Sequence, residues 1–314
     1  MGPNADPGAR PIGLMGVTGT SGKTTTCHLL EAILQDGCPP GALCSSEAQR
    51  IGQRHVTISQ PRTEPVELGQ FLREAAEAGA PWAVVELESA ELGPVIDIAV
   101  VTNTTEHDRQ AVAKLFHALS PERQAGRPRA AVLNRDEPDV MQLAEGRHVP
   151  VLTFGLHPEA DVRATEVEVS LEGSKFLLHL PGAQPEPCHL QLLGEQNVRN
   201  ALAAAAGGHL LGLSAATIAR ALFRCPGLPG RMERIEEGQR FHVVVDYADT
   251  PDRLAQLARF RPPGADRVSL LGYEAFRPAV AEARHGDLLI LTGRPAPGFA
   301  VRDVIREVLG SSHL

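Results

Sequence analysis

No lysine or arginine cluster longer than a dipeptide occurs in the chain, and the formal charge is -8 at pH 7. That absence removes the basic footprint by which proteins track a phosphate backbone, so nucleic acid is not an expected partner. Residues 1–10, MGPNADPGAR, hold no apolar stretch of the kind a secretory leader needs, and no later run approaches the roughly 20 apolar residues of a membrane span. The expectation is a cytoplasmic protein without a membrane span. The five cysteines (Cys27, Cys38, Cys44, Cys188, Cys225) form no C-x-x-C pair and are odd in number. This argues against a zinc ribbon and against a complete disulfide framework.

A 43% hydrophobic share over 314 residues supplies core for two ordinary domains. The apolar run IGLMGV (12–17) suits a strand buried on both faces, and Lys23 to Gln35 then places Leu29, Leu30, Ile33 and Leu34 at helical spacing before Gly37. The alternation continues through a helical 69–79, apolar 82–87 and 97–102, a helix around 111–119, and apolar 130–134 and 151–154. Such a pattern predicts an α/β fold whose sheet is mostly parallel, with helices on both faces. Residues 165–180 and 188–194 instead alternate apolar and polar around Glu172-Gly173-Ser174, which predicts a small antiparallel sheet. Helices are expected at 198–211 and 215–224. The proline and glycine cluster CPGLPG (225–230) reads as a hinge. Beyond it, apolar 241–246, 267–272 and 287–292 alternate with helical 251–260, 274–285 and 301–309, predicting a second, smaller Rossmann-like α/β domain. The expected organisation is a tail (1–10), a central domain (11–228) and a reduced C-terminal domain (229–314).

The densest chemistry lies in GVTGTSGKTTT (16–26), at the junction of the first strand and helix. Its glycine spacing departs from G-x-x-x-x-G-K-[ST], but the physics of a phosphate loop is present: glycines that let the backbone turn inward, and a helix start that presents its N–H groups. Lys23 would meet terminal phosphates and Thr24 would offer a hydroxyl to Mg²⁺. A hard cation also wants a carboxylate, and Glu86 closes the strand WAVVEL at the edge where open α/β sheets collect ligands. The next strand runs out through VTNTTEHD, bringing His107, Glu106 and Asp108 to the same edge. Taken singly, Glu86 also fits a strand-end residue reaching solvent, Asn197 and Asn200 helix-start caps, and Asn134 and Asp246 turn formers.

In order and spacing, TGTSGKTTT, VELESAEL, DIAVVTNTTEHD, VLNRDEP, GEQNVRNALAAAA, LPGRMERIEEG and VVVDYADTPDRL resemble the signature blocks of the Mur ligase superfamily over roughly residues 11–260. LPGRME and DYADTPD are most similar to the ligases that add the third residue of the muramoyl peptide. The resemblance implies an ATP-dependent, ADP-forming carbon–nitrogen ligase, in which ATP phosphorylates a carboxylate and an amine attacks the acyl phosphate. It implies ATP and Mg²⁺ as cofactors, and a small or carrier-bound carboxylate plus an amino acid or amine as substrates. By the same resemblance, Gly19, Thr20, Ser21, Gly22, Lys23, Thr24 and Thr25 hold the phosphates. Thr24, Glu86 and His107 hold metal, with Lys23, Glu86, His107 and Lys114 catalytic; Lys114 is the candidate for carbamylation. Asn197 corresponds to the family's asparagine near adenine, Arg231 to its hinge arginine, Asp246 to its ribose ligand, and Asn134 with Asp136 to its strand-end loop at the nucleotide.

The departures are specific. Glu106-His107-Asp108 replaces the usual Asp-His, and Asp249 stands where histidine is usual. The family's N-terminal substrate domain of roughly 100 residues has no counterpart before Ile12. The last 65 or so residues lack the acceptor motif Asp-Asn-Pro-Arg. The expectation is therefore a ligase of cell-wall or natural-product biosynthesis with a reduced substrate half, possible support from a partner subunit, and, as the alternative, a degenerate ATP-binding module with a regulatory role.

Overall fold

The computed structural model describes residues 12–57, 65–87, 96–104, 112, 119, 127–144, 149–248, 250–296 and 298–311. It divides into two compact units. The first takes in the chain up to Val167, Phe176–His189 and Gln196–Cys225; the second comprises Glu168–Lys175, Leu190–Glu195 and Pro226–Leu314.

The first unit is built on β1 (Gly13–Thr18), whose six residues are all buried. Burial on both faces explains why this strand reads as an unbroken apolar run. It lies between β5 (Trp82–Glu86) and β6 (Ile98–Val101), parallel to each. Outward from β6 follow β7 (Ala130–Asn134) and β8 (Val151–Gly155), parallel again. Outward from β5 comes parallel β2 (Ala42–Cys44), then β3 (Ala48–Ile51) and β4 (Arg54–Thr57) in antiparallel register. Helix α1 (Lys23–Gly37) covers one face through Leu29, Leu30, Ile33 and Leu34, all fully buried. On the other face, α2 (Pro65–Glu77) sets Phe71 and Ala75 against Leu14, Ala83, Val85 and Ala99.

Two further helices cover the sheet's α1 side. After the short α3 (Pro138–Ala144) come α4 (Glu195–Leu210) and α5 (Ala215–Arg224). Small residues let α4 approach α1 closely: a β-carbon on Gly207 would lie 2.5 Å from Leu30 Cδ2. Ser214 caps α5 by accepting from Thr217 N.

The alternating segment folds as β9 (Val162–Ser170), β10 (Gly173–His179) and β11 (Glu186–Leu190). These strands are not a separate sheet. β9 joins β8 in parallel through Phe154↔Val162 and Gly155↔Arg163, so eleven strands form one sheet in the order β11-β10-β9-β8-β7-β6-β1-β5-β2-β3-β4.

The second unit repeats the α/β principle on four strands ordered β12-β13-β15-β14. β13 (His242–Asp246), β14 (Val268–Leu271) and β15 (Leu288–Thr292) run parallel, and β12 (Glu233–Ile235) pairs antiparallel with β13. One face packs Val243, Val245, Leu289 and Leu291 with Phe276, Val280 and Ile305 of α7 (Phe276–Glu282) and α8 (Val301–Ser311). The other packs Val244, Leu288 and Ile290 with Leu257 of α6 (Pro251–Arg259).

Candidate nucleotide site

The loop from Thr18 to Lys23 is shaped by two glycines in backbone regions that side chains rarely adopt: Gly19 at φ +145° and Gly22 at φ +81°. Space forbids a side chain as firmly as conformation does. A β-carbon on Gly19 would sit 2.1 Å from Thr102 Oγ1, and one on Gly22 would sit 2.3 Å from Asn200 Oδ1. The first bond into α1 runs from Thr26 N to Gly22 O at 2.9 Å, so the earlier first-turn amides face out of the helix start, as an anion cradle requires. Lys23 Nζ donates to Gly19 O at 2.9 Å, which lays its charge across the loop.

At the mouth of this loop, oxygens converge. Thr24 Oγ1 donates to Glu86 Oε1 at 2.9 Å. Ser46 binds the other carboxylate oxygen twice, by its N–H at 2.8 Å and its hydroxyl at 3.0 Å, and lies 3.4 Å from Thr24 Oγ1. One carboxylate and two hydroxyls form an all-oxygen donor set, which fits a hard cation such as Mg²⁺ that keeps several waters or phosphate oxygens of its own. Among the described residues no group of three or more His, Cys, Asp or Glu could hold a metal. The hydroxyls are therefore part of the fit.

Ser46 is absent from the sequence expectation. Its signal was available: ALC (42–44) is a short apolar run ending in Ser45-Ser46, and a strand beside β5 delivers its C-terminal end to the edge that carries Glu86. Beneath the site, burial pushes the Cys27 thiol well above its ordinary value, with Glu86 and Cys44 acting in the same direction and Lys23 opposing them. Cys27 is thus a protonated core residue and no nucleophile.

Behind the loop, Asn134 is 2% exposed; its amide donates to Thr102 O at 2.7 Å and its oxygen accepts from Asp136 N at 3.0 Å. Asp136 accepts from Leu156 N and His157 N and pairs with Arg199 Nε at 2.9 Å, anchoring the start of α4. Asn197 and Asn200 lie within α4, both buried and joined by a 3.1 Å bond from Asn200 Nδ2 to Asn197 Oδ1. Neither is the cap before the helix: Asn197 lies in its first turn and Asn200 in its second, where it reaches Gly22.

Arg231 and Asp246 belong to the second unit. The Arg231 amide closes a turn on Leu228 O. Asp246 is 1% exposed and accepts from Met232 N at 3.0 Å and from Arg253 at 2.7 and 3.2 Å. His107, Lys114, Glu106, Asp108 and Asp249 lie outside the described residues, as does nearly all of the helix expected at 111–119.

A buried parallel strand, a glycine loop, a helix start and a hydroxyl–carboxylate cluster at one sheet edge define the architecture of a phosphate-loop α/β protein. The Mur ligase middle domain matches residues 17–208, more than half of the chain, and the chain belongs to that family. It is 37% identical over 283 residues to the UDP-N-acetylmuramyl-tripeptide synthetase of Roseiflexus sp. (strain RS-1), which covers 82% of this chain and 55% of that protein. It is 32% identical over 320 residues to the UDP-N-acetylmuramoyl-L-alanyl-D-glutamate--2,6-diaminopimelate ligase of Geobacillus thermodenitrificans (strain NG80-2), covering 94% of this chain and 65% of that protein. The chain thus spans only part, 55% to 65%, of these curated relatives. A solved structure of a diaminopimelate ligase superposes with a TM-score of 0.75 at 21% identity, over 98% of this chain and 80% of that one. Mycobacterium tuberculosis folylpolyglutamate synthase, complexed with ADP and AMPPCP, gives 0.64 at 17% identity over 97% and 81%. At such identities the last two show a shared fold.

Proposed function

We propose that this chain carries the ATP-binding and phosphoryl-transfer machinery of an ADP-forming amide ligase, which activates a carboxylate as an acyl phosphate and joins it to an amino acid or amine. The observation that carries the reading is the Thr24–Glu86–Ser46 oxygen cluster at the mouth of the TGTSGKTT loop. The amides of the loop and first turn hold phosphate oxygens, and Lys23 offsets their charge. Thr24, Glu86 and Ser46 would hold Mg²⁺, which would supply charge neutralisation for phosphoryl transfer to a carboxylate. By family resemblance, His107 and a carbamylated Lys114 serve a second metal, Asn197 meets the adenine, Arg231 the phosphates, and Asn134 acts through the loop it braces. The Asp246 oxygens already serve Arg253 and Met232, so ribose hydroxyls would share their remaining lone pairs. The chain spans 55% to 65% of these curated relatives, and a partner subunit that contributes substrate-binding surface is part of the proposal.

The test is incubation with ATP, Mg²⁺ and fractionated extract, followed by mass spectrometry. ADP and phosphate should form only when carboxylate and amine are both present, with a product heavier by one amino-acid residue. AMP and pyrophosphate as products would overturn the reading. A regulatory ATP-binding module is the second reading, favoured by the lack of Asp-Asn-Pro-Arg in the last 65 or so residues. Lys23→Ala tests the first reading against it: lost nucleotide binding with an intact cellular phenotype would exclude catalysis as the role.

A further inference from the structure

The end of β6 does more than frame the phosphate loop. Asn103 grips Ser21 at two points: its Oδ1 accepts from Ser21 N at 2.9 Å, and its Nδ2 donates to Ser21 Oγ at 2.8 Å. The adjacent Thr102 Oγ1 reaches Ser21 O at 2.7 Å and Thr18 O at 3.2 Å. Thr102 is itself fixed by Asn134, whose amide donates to its carbonyl at 2.7 Å. A carboxamide offers one acceptor edge and one donor edge, and both match Ser21. Ser21 therefore has its amide, carbonyl and hydroxyl all held from one neighbouring strand end. Gly22, next in the chain, is wedged against Asn200. A loop gripped at position 21 and wedged at position 22 has little freedom to tilt the amides that follow.

We propose that Asn103 is a positioning residue for nucleotide binding: by reading Ser21 through both edges of its carboxamide, it fixes the crest of the phosphate loop so that the first-turn amides of α1 converge on one phosphate. This rests on the nucleotide reading given above. Asn103 needs no contact with the nucleotide; its effect passes through Ser21. Preorganised donors contribute most when they need not be reoriented on binding, so loosening the loop should weaken ligands that carry the bound phosphate and spare those that do not.

The experiment is calorimetric titration of the full chain with ATP, ADP and AMP in Mg²⁺, with thermal midpoints in parallel, for wild type, Asn103→Ala, Ser21→Ala and the double variant. Wild type binding ADP and ATP is the condition for the nucleotide reading; no binding there fails that reading and removes this inference with it. Given binding, Asn103→Ala should weaken ATP and ADP about tenfold while AMP affinity changes less than about twofold. Ser21→Ala, which removes only the Nδ2 contact, should cost about threefold and add nothing in the Asn103→Ala background. Should Asn103→Ala lower the thermal midpoint, Ser21→Ala carries the test, because it leaves the Ser21 N–Asn103 Oδ1 bond in place: its midpoint should stay near wild type while ADP binding weakens more than AMP binding. Equal losses for all three nucleotides would show a merely structural role. Unchanged ADP affinity, or single losses that multiply in the double variant, would also overturn the proposal.

Discussion

Each unit ends a central parallel strand on a carboxylate, and the two carboxylates are treated in opposite ways. Glu86, ending β5, is half-buried, and its partners are neutral donors: two hydroxyls and one backbone amide. Asp246, ending β13, is 1% exposed and clamped by the two-nitrogen fork of Arg253. Hydroxyls leave the negative charge in place for an incoming cation, whereas a guanidinium neutralises it from within. The same strand-end position thus yields a cation-ready edge in the first unit and an internal brace in the second. What separates them is the charge on the nearest donors.

The sharpest break of this contrast is Glu86→Gln, which keeps the shape and one acceptor oxygen but removes the charge and turns an NH2 donor toward one of the two hydroxyl partners. Turnover, measured as ADP release in the presence of both substrates, should fall about 100-fold or more. Thermal midpoint should stay near wild type, because the amide oxygen can accept both bonds from Ser46 while its NH2 donates to the Thr24 hydroxyl. A large loss of stability with turnover retained would mean that Glu86 is structural.

Asp246→Ala tests the other half. It leaves the Arg253 charge uncompensated and Met232 N without its acceptor, and should cost about 3 kcal/mol in urea unfolding of the second unit. Met232 adds to the effect, since it is held at φ +52°, a conformation that costs a non-glycine residue energy and that the Asp246 bond helps to fix. If Asp246→Ala left stability unchanged and affected only nucleotide affinity, the two carboxylates would be alike after all.

Much of the first edge was legible in the letters. β1, β5, β6 and β7 are buried parallel strands, and burial on both faces writes itself as continuous apolar runs; β8 is buried from Thr153 onward, and the glycine loop and α1 follow from local chemistry. The region from 38 to 57 offered little beyond the short apolar run ALC. β2, β3 and β4 are three or four residues long, and SSEAQRIGQRHVT carries polar residues throughout, so Ser46 went unseen with them. Asn103 was hidden for a different reason: an asparagine after a strand reads as a turn former, and its grip on Ser21 spans 82 residues. The merging of β9 with β8 through two register pairs leaves no mark in hydropathy either. In the second unit, the sequence pointed to Asp246 as a ligand position, but the Arg253 clamp depends on the first turn of α6 curling back over β13.

Gly22→Ala probes how firmly the first edge is preset. At φ +81°, with Asn200 Oδ1 where the methyl would go, alanine should cost about 1–2 kcal/mol and tilt the loop. Calorimetric titration should show ADP affinity falling with it. Pairing the change with Asn200→Ala, which clears the space but leaves the φ strain, should recover only part of the loss. Full recovery would assign the whole effect to the collision.

The smallest expected effect concerns pH and again separates the units. Asp287, just before β15, accepts from Arg284 N at 2.9 Å and from Arg267 Nη2 at 2.9 Å. The backbone bond from Arg284 foremost, and then Arg267, holds its carboxyl below the ordinary value of 3.8 against the opposing pull of burial. A carboxyl depressed on folding binds its proton more readily in the unfolded chain, so its stabilisation is complete above the ordinary value and fades as pH falls through the lower folded one. The stability difference between wild type and Asp287→Asn should therefore be level from neutral pH to about 5 and shrink below about 4. Urea midpoints of both proteins across that range measure it. A difference that stayed constant down to about pH 2.5 would show that Asp287 acts by shape and not by charge, and would weaken the view that the second unit is braced by internal ion pairs.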